Sequence, residues 1–261
     1  MPRSCAKADA ELMSNPTSST TSMAQKRHRV VQLQDSHILR ATQTYFRAFA
    51  VDPVARYNAA GTPVYRNDMI DWIVTPILFY TWIRDGSAYT IDGTAGSTFL
   101  LLTLPQAVAE GEGTASSSRV ANMLSARLMA CGNWLEDCKY FSAEQISRKQ
   151  EFRKKAQEAE ERIFGDRKKD LIYGNLMGTD PLAQGRGWAS SLLAFCGELV
   201  DRYSTEFWCF AAGFNEKFYI RNGLTKAGSF TLGENDATWK EPPLVVVIMV
   251  MGKDRKVQAK L

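Results

Sequence analysis

The chain is 261 residues long, and its 45% of hydrophobic residues can bury the core of one domain, or of two small ones at most. It carries 32 Lys and Arg against 28 Asp and Glu, and this net charge of +4 gives no support to a nucleic-acid-binding protein. The longest apolar run, Leu244–Met251, is too short to span a membrane and predicts a buried strand.

The first half of the chain predicts a tail followed by helices and a hairpin. Residues 1–24 mix Ser, Thr and Pro without periodicity, which is typical of a disordered tail, and no secretory signal is visible there. We expect Asp52-Pro53 to end the first helix and Pro76 to kink or divide the second. In order, the periodicity predicts a strand at 28–33, a helix to about 50, a helix at 66–83, and a hairpin of strands 88–91 and 98–104.

The second half predicts a helical region and then alternating strands and helices. Residues 106–170 contain two helical patterns, and the dense mixed charge of the second indicates a solvent-exposed helix face. Gly223 stands where a helix C-cap is expected. After this region the pattern predicts strands at 171–177, 207–212, 226–232 and 244–251, and helices starting at Trp188 and Asn215.

Cysteine and histidine usage argues against a metal centre. The five cysteines lack metal-binding or redox spacing, so we expect reduced packing residues, as in a cytoplasmic protein. The two histidines, His28 and His37, are too few for a histidine zinc site and are best interpreted as surface residues. The sequence therefore predicts no metal.

The turn after the strand at 171–177 carries the clearest functional signal. Its residues are Gln184, Gly185, Arg186, Gly187, Trp188 and Ala189. A helical pattern starts at once, and the first-turn N–H groups of a helix lack intrahelical partners and carry partial positive charge. The glycines let a ligand approach the backbone, and Arg186 adds permanent charge. The sequence therefore predicts a diphosphate-binding turn.

Three interpretations of this turn compete with a plain structural turn. The spacing Gly185-x-Gly187-x-x-Ser190 is close to a dinucleotide fingerprint, but Glu206 begins the next apolar run instead of ending it. A Walker A loop needs Gly-Lys-Ser/Thr, which is absent. The third pattern, Q/R-x-x-G-x-G/A, is met by Gln184, Gly187 and Ala189.

With its neighbours, this third pattern resembles the coenzyme A loop of the GNAT superfamily of N-acetyltransferases. Asp52-Pro53 is similar to the "AF…DP" helix ending of fungal-type members, and residues 215–224 are similar to the family's "N…FYERLGF" segment. The resemblance implies an α+β fold with a mixed, mostly antiparallel central sheet of about seven strands flanked by helices. It also implies that residues 25–261 form one domain with a helical insertion at about 106–170.

The same resemblance implies acetyl-CoA as co-substrate, a small-molecule amine as acceptor, and direct attack of the amine on the thioester. Tyr219 occupies the general-acid position, and Asn215 is expected to cap its helix and also to contact the cofactor. A cytoplasmic monomer or homodimer is expected, without nucleic acid or membrane. The implied cofactor-binding residues are Leu176, Met177, Gly178, Gln184, Gly185, Arg186, Gly187, Trp188, Ala189 and Asn215.

No general base can be assigned from the sequence. Some relatives carry a glutamate on the strand before the loop, but Leu171–Met177 has no acid, and Asp180 is expected to cap the turn. The segment also departs from the family pattern at Ile220, Asn222 and Leu224. Two alternatives therefore stay open: a coenzyme A-binding relative without catalysis, and, more distantly, a nicotinamide-dependent oxidoreductase.

Overall fold

A computed structural model describes residues 27–105, 108, 123 and 140–252. The predicted disordered tail at 1–24 lies outside the described residues. The first of the two predicted helices of the 106–170 region, apart from Met123, and about half of the proposed insertion also lie outside them.

Seven strands of the described residues form a single sheet in the order β1-β2-β3-β4-β5-β7-β6. Only β4 and β5 run parallel, and every other neighbouring pair is antiparallel. The predicted mixed, mostly antiparallel sheet is therefore confirmed. The strands are β1 (Val30–Gln32), β2 (Ala88–Ile91), β3 (Thr98–Thr103), β4 (Ile172–Thr179), β5 (Phe207–Ala212), β6 (Thr225–Leu232) and β7 (Leu244–Met251).

Helices cover both faces of this sheet. They are α1 (Ile38–Phe49), α2 (Pro53–Ala59), α3 (Val64–Arg84), α4 (Ala143–Ile163), α5 (Trp188–Tyr203) and α6 (Glu216–Arg221). Strand β3 shows how the two faces are filled, because side chains alternate along a strand. Leu100 and Leu102 join the core under α5 and α6, whereas Phe99 and Leu101 join the core under α1 and α3. The helix α4 covers the remaining part of that second face, over Trp208.

Two details of the helical region differ from the sequence prediction. Asp52-Pro53 does end α1, but it also starts α2: the Asp52 carboxylate accepts a hydrogen bond from the Ala55 N–H at 2.8 Å, and Pro53 occupies the first helical position. Pro76 does not divide α3, which continues from Val64 to Arg84. Pro53 stands in the first turn of a helix, where proline is tolerated, whereas at Pro76 the helix continues in spite of the tendency of proline to break it.

Candidate active site

The strands β4 and β5 separate after a short parallel contact. They pair only from Ile172↔Phe207 to Gly174↔Cys209, and the rest of each strand has no partner across this gap. A cavity of about 770 Å³, open to solvent, occupies the gap. The two strands therefore form a fork that can admit an extended ligand arm into the sheet.

An irregularity in β4 sets which backbone groups face the gap. Leu101 pairs with Leu176 and Leu102 with Gly174, so Asn175 is an extra residue in β4 and forms a bulge. The Gly178 carbonyl accepts a hydrogen bond from the Thr98 hydroxyl at 3.1 Å and is therefore directed towards β3.

The backbone directions of the three predicted contact residues follow from this bond. Successive residues of a strand direct their backbone groups to opposite edges. Because the Gly178 carbonyl faces β3, the Leu176 backbone also faces β3, and the Met177 N–H and C=O point into the gap. The side chains of Leu176 and Met177 line the cavity. Of the three, Met177 is therefore placed to offer its backbone to a ligand.

The predicted diphosphate turn lies at the end of β4 and is open to solvent. Gln184, Gly185 and Arg186 are exposed, and the residues that follow, through Ala189, are half-buried. Gly185 and Gly187 both have φ of 77°, a left-handed conformation that side chains rarely adopt. Gly187 is the N-cap of α5, so the N–H groups of Trp188 and Ala189 begin the helix next to the exposed turn.

A buried carboxylate anchors this turn. Asp180 is fully buried and accepts a hydrogen bond from the Leu182 N–H at 3.1 Å, which confirms its predicted capping role. Arg40 and Arg47 of α1 reach the same carboxylate oxygen at 3.1 and 3.0 Å. Burial alone would raise the pKa of Asp180, but the Leu182 N–H and the Arg47 and Arg40 guanidinium groups outweigh it and lower that pKa.

The predicted acid, Tyr219, lines the cavity from α6. Burial raises the pKa of its hydroxyl well above 10, and the Cys209 thiol and the charge of Asp52 add to the shift. The hydroxyl lies within hydrogen-bonding reach of the Cys209 sulfur. Tyr219 is therefore a neutral donor at physiological pH, and Cys209 has a polar neighbour that the sequence did not indicate.

Asn215 differs from its prediction. It is the N-cap of α6, but its side chain makes no capping hydrogen bond, so the predicted cap is wrong. Its backbone is already helical, with φ of −87° and ψ of −6°, because a short 3-10 helix (Gly213–Asn215) leads directly into α6. An N-cap side chain reaches back to the helix from an extended backbone, which Asn215 does not have. Asn215 lines the cavity instead.

Sequence reasoning missed Asp52. Asp52 lines the cavity, and its charge contributes to the raised pKa of Tyr219. One carboxylate oxygen of Asp52 caps α2. A signal was present in the sequence, since Asp before Pro is a typical N-cap and first-turn pair, but only the fold brings the start of α2 to the fork.

Absences at this site can be stated only for the described part of the chain. No cluster of three or more His, Cys, Asp or Glu side chains within residues 27–105 and 140–252 could hold a metal ion. No helix of those ranges is both long enough and apolar enough to cross a membrane. Cys196 and Cys209 are buried there as thiols and not in a disulfide, and the other three cysteines lie outside the described residues.

Comparison with known proteins identifies the fold. No family model matches the chain, and no curated protein is similar to it in sequence. Arylalkylamine N-acetyltransferase 2 of Aedes aegypti shares 15% identity with a TM-score of 0.53, and the match covers 87% of this chain and 99% of that one. The polyamine N-acetyltransferase of Drosophila melanogaster, which forms N-acetylagmatine, shares 10% identity with a TM-score of 0.52 over 86% and 99% of the two chains.

An agmatine N-acetyltransferase shares 9% identity with a TM-score of 0.53, over 87% of this chain and 99% of its own. At such identities a likeness establishes the fold and nothing finer. The chain has the GNAT fold that its sequence resemblance implied. A doubly wound parallel sheet, which the nicotinamide interpretation requires, is excluded by the antiparallel pairing of β3, β4, β5 and β7.

Proposed function

We propose that this protein is an N-acetyltransferase that moves an acetyl group from acetyl-CoA to an amine. The observation that carries the proposal is the fork between β4 and β5, with the exposed turn at 184–189 at one end and with Tyr219 and Asp52 among the residues that line its cavity. Bound acetyl-CoA supplies the thioester whose acetyl group is transferred. The fold neighbours named above are N-acetyltransferases, which agrees with this assignment.

The turn fits a diphosphate. The N–H groups at the start of α5 follow directly on the exposed residues 184–186, Gly185 and Gly187 carry no side chain that would block the backbone, and Arg186 adds charge. We assign the diphosphate contact to residues 184–189, as the sequence predicted. Asn215 and Met177 would then contact the arm that enters the fork, with the Met177 N–H donating to the acetyl oxygen as negative charge develops there.

Tyr219 and Asp52 divide the proton transfers. As the C–S bond breaks, the Tyr219 hydroxyl donates its proton to the departing sulfur. The second carboxylate oxygen of Asp52 pairs with the acceptor's ammonium group, takes one proton from it and passes that proton to solvent, which leaves a neutral amine to attack. The second proton is lost from nitrogen as the C–N bond forms and restores the Tyr219 phenol. The products are the acetylated amine, the free thiol and one proton. Asp52 thus supplies the carboxylate that Leu171–Met177 lacks.

Thermal melting with coenzyme A, combined with thiol release across a panel of amines, tests the proposal. A cofactor at 100 times its dissociation constant stabilises the fold by about 2.7 kcal/mol. We expect a rise in melting temperature in wild type and in Gly187→Ala, and no rise in Gly187→Glu. Both variants strain the left-handed backbone, but only Gly187→Glu places a negative charge in the turn. An unchanged melting temperature of the wild type with millimolar coenzyme A contradicts the proposal.

A rise in melting temperature with coenzyme A, without thiol release from any amine, would support the alternative, a coenzyme A-binding protein without transfer activity.

A further inference from the structure

The lining of the cavity comes from both faces of the sheet. Leu193, Cys209 and Tyr219 belong to the core under α5 and α6, the same face as the phosphate turn. Val54 and Val246 belong to the opposite face, where α2 and α4 lie. A cofactor held at the turn therefore reaches the fork from the α5 face, and the acceptor must enter from the other face.

Three aromatic rings from three elements form the wall on the acceptor side: Phe49 of α1, Phe152 of α4 and Phe210 of β5. The rings of Phe152 and Phe210 are 6.2 Å apart, and Phe49 is backed by Tyr45 at 5.0 Å. Edge and offset contacts with such rings favour an aromatic or alicyclic guest over a small or polar one. The helix α4 thus contributes directly to the shape of this side of the cavity.

Charge is scarce on this wall. Among the lining residues in the described part of the chain, Asp52 is the one carboxylate, and neither Lys nor Arg is present. Nearby charges are already paired behind the wall: Arg148, with only 4% of its side chain exposed, holds Asp236 at 2.7 Å, and Glu151 binds Tyr57. The described residues therefore offer a partner in the cavity to one cation, and none to a second cation or to an anion.

We propose, on the basis of the function above, that the acceptor is a monoamine with an apolar body the size of an aromatic ring. Asp52 compensates its ammonium group, and Phe49, Phe152 and Phe210 contact its ring. Agmatine and other polyamines bring a second cation without a partner, and free amino acids bring a carboxylate without one; burying either uncompensated charge is costly.

Thiol release with 2-phenylethylamine, phenylalanine and agmatine tests this acceptor class. Phenylalanine is 2-phenylethylamine with an added carboxylate, and agmatine replaces the ring with a second cation. We expect kcat/KM for 2-phenylethylamine to exceed that for each of the other two by ~100-fold or more. A higher kcat/KM for agmatine or for phenylalanine would overturn the inference.

Two alanine variants test the aromatic wall. Phe152→Ala should raise KM for 2-phenylethylamine by ~10-fold and leave KM for propylamine unchanged, because propylamine has no ring to contact. Phe230→Ala is the matched control, since the Phe230 ring lies 6.0 Å from Phe152 but does not line the cavity. Equal effects of the two variants on both amines would reject a contact between Phe152 and the acceptor.

A binding measurement separates the acceptor class from the transfer activity. Each amine is added to the complex with coenzyme A, and the further rise in melting temperature is recorded. A rise with 2-phenylethylamine alone, without thiol release from any amine, refutes transfer and supports the acceptor class. Thiol release from agmatine alone supports transfer and refutes the acceptor class. If no amine binds and no thiol is released, both the transfer activity and the acceptor class are refuted.

Discussion

In the proposed reaction, the hydroxyl of Tyr219 donates a proton from a site that disfavours its anion. Burial raises the pKa of this phenol, which keeps it protonated but also makes it a weaker acid. Burial also raises the pKa of the neighbouring Cys209 thiol, to about 12. We therefore expect burial to raise the pKa of a thiol that leaves beside Tyr219 too, in the same direction as that of the phenol.

Removing this hydroxyl should slow the chemistry and spare cofactor binding. We expect Tyr219→Phe to lower kcat by ~10²- to 10⁴-fold, the usual contribution of a general acid, with KM for acetyl-CoA nearly unchanged. Steady-state thiol release measures both constants. Tyr45→Phe, which removes a hydroxyl from α1, is the control and should keep the wild-type rate. Full activity of Tyr219→Phe would dismiss the acid role.

Asp52 allows its charge to be separated from its capping role. Asp52→Asn keeps an oxygen that can accept the Ala55 N–H, so the free energy of unfolding should change by less than ~0.5 kcal/mol, whereas Asp52→Ala should lose about 1 kcal/mol with the cap. Both variants should raise KM for the amine, since both lose the charge. Denaturant unfolding and amine kinetics distinguish the two effects. An unaltered amine KM in Asp52→Asn would remove Asp52 from the acceptor site.

At the scale of elements, a connection between α1 and the end of β4 holds the turn at residues 184–189 in place. Two arginines about two turns apart on α1 share the buried Asp180, which in turn orders the backbone at Leu182. The backbone that leads into the exposed residues 184–186 is thus held by a helix on the other face of the sheet. The turn is preorganised before any ligand arrives.

This anchor predicts a pH dependence of stability. The pKa of Asp180 is lower in the folded than in the unfolded chain, where it is about 3.9. Its contribution is therefore fully present above about pH 5 and is lost as the pH falls through the folded pKa. We expect Asp180→Asn to cost ~2–3 kcal/mol at pH 7, and this cost to shrink below pH 4. Urea unfolding between pH 3 and 7 measures it; an equal cost at all pH values would contradict the assignment.

At the scale of the whole molecule, α4 ties the acceptor side of the cavity to the connection between β6 and β7. Arg148 binds Asp236 at 2.7 Å and Thr238 at 2.7 Å, and its guanidinium group lies 5.5 Å from the ring centres of both Tyr57 and Trp239. One side chain therefore joins α2, α4 and the β6–β7 connection. These three segments meet behind the wall that carries Phe152.

Breaking this junction should loosen the wall. We expect Arg148→Leu to lower the free energy of unfolding by ~3–5 kcal/mol, because Asp236 loses the partner that helps to lower its pKa to about 2. The double variant Arg148→Leu/Asp236→Asn should recover part of the loss by removing the unpaired charge. Denaturant titration of both proteins measures the difference. A double variant as unstable as the sum of its singles would show that the two residues act independently.

The sequence predicted well what depends on short stretches of chain. All seven strands were anticipated from periodicity, because the alternation of buried side chains is local to each strand. Gly223, with φ of +85°, ends α6 as predicted, since few other residues adopt that conformation. The turn at 184–189 was recognised for the same reason: its glycines are required by its own backbone.

Only the tertiary structure decided how distant segments meet. The bulge at Asn175 and the separation of β4 from β5 depend on pairing with β3 and β5, which residues 171–177 do not encode alone. The sequence predicts Asp52 only as part of a helix end and Cys209 only as a packing residue, because Tyr219 is distant from both along the chain. Local backbone preference thus determined the elements and the turn, while long-range packing alone brought a carboxylate, a phenol and three aromatic rings to one cavity.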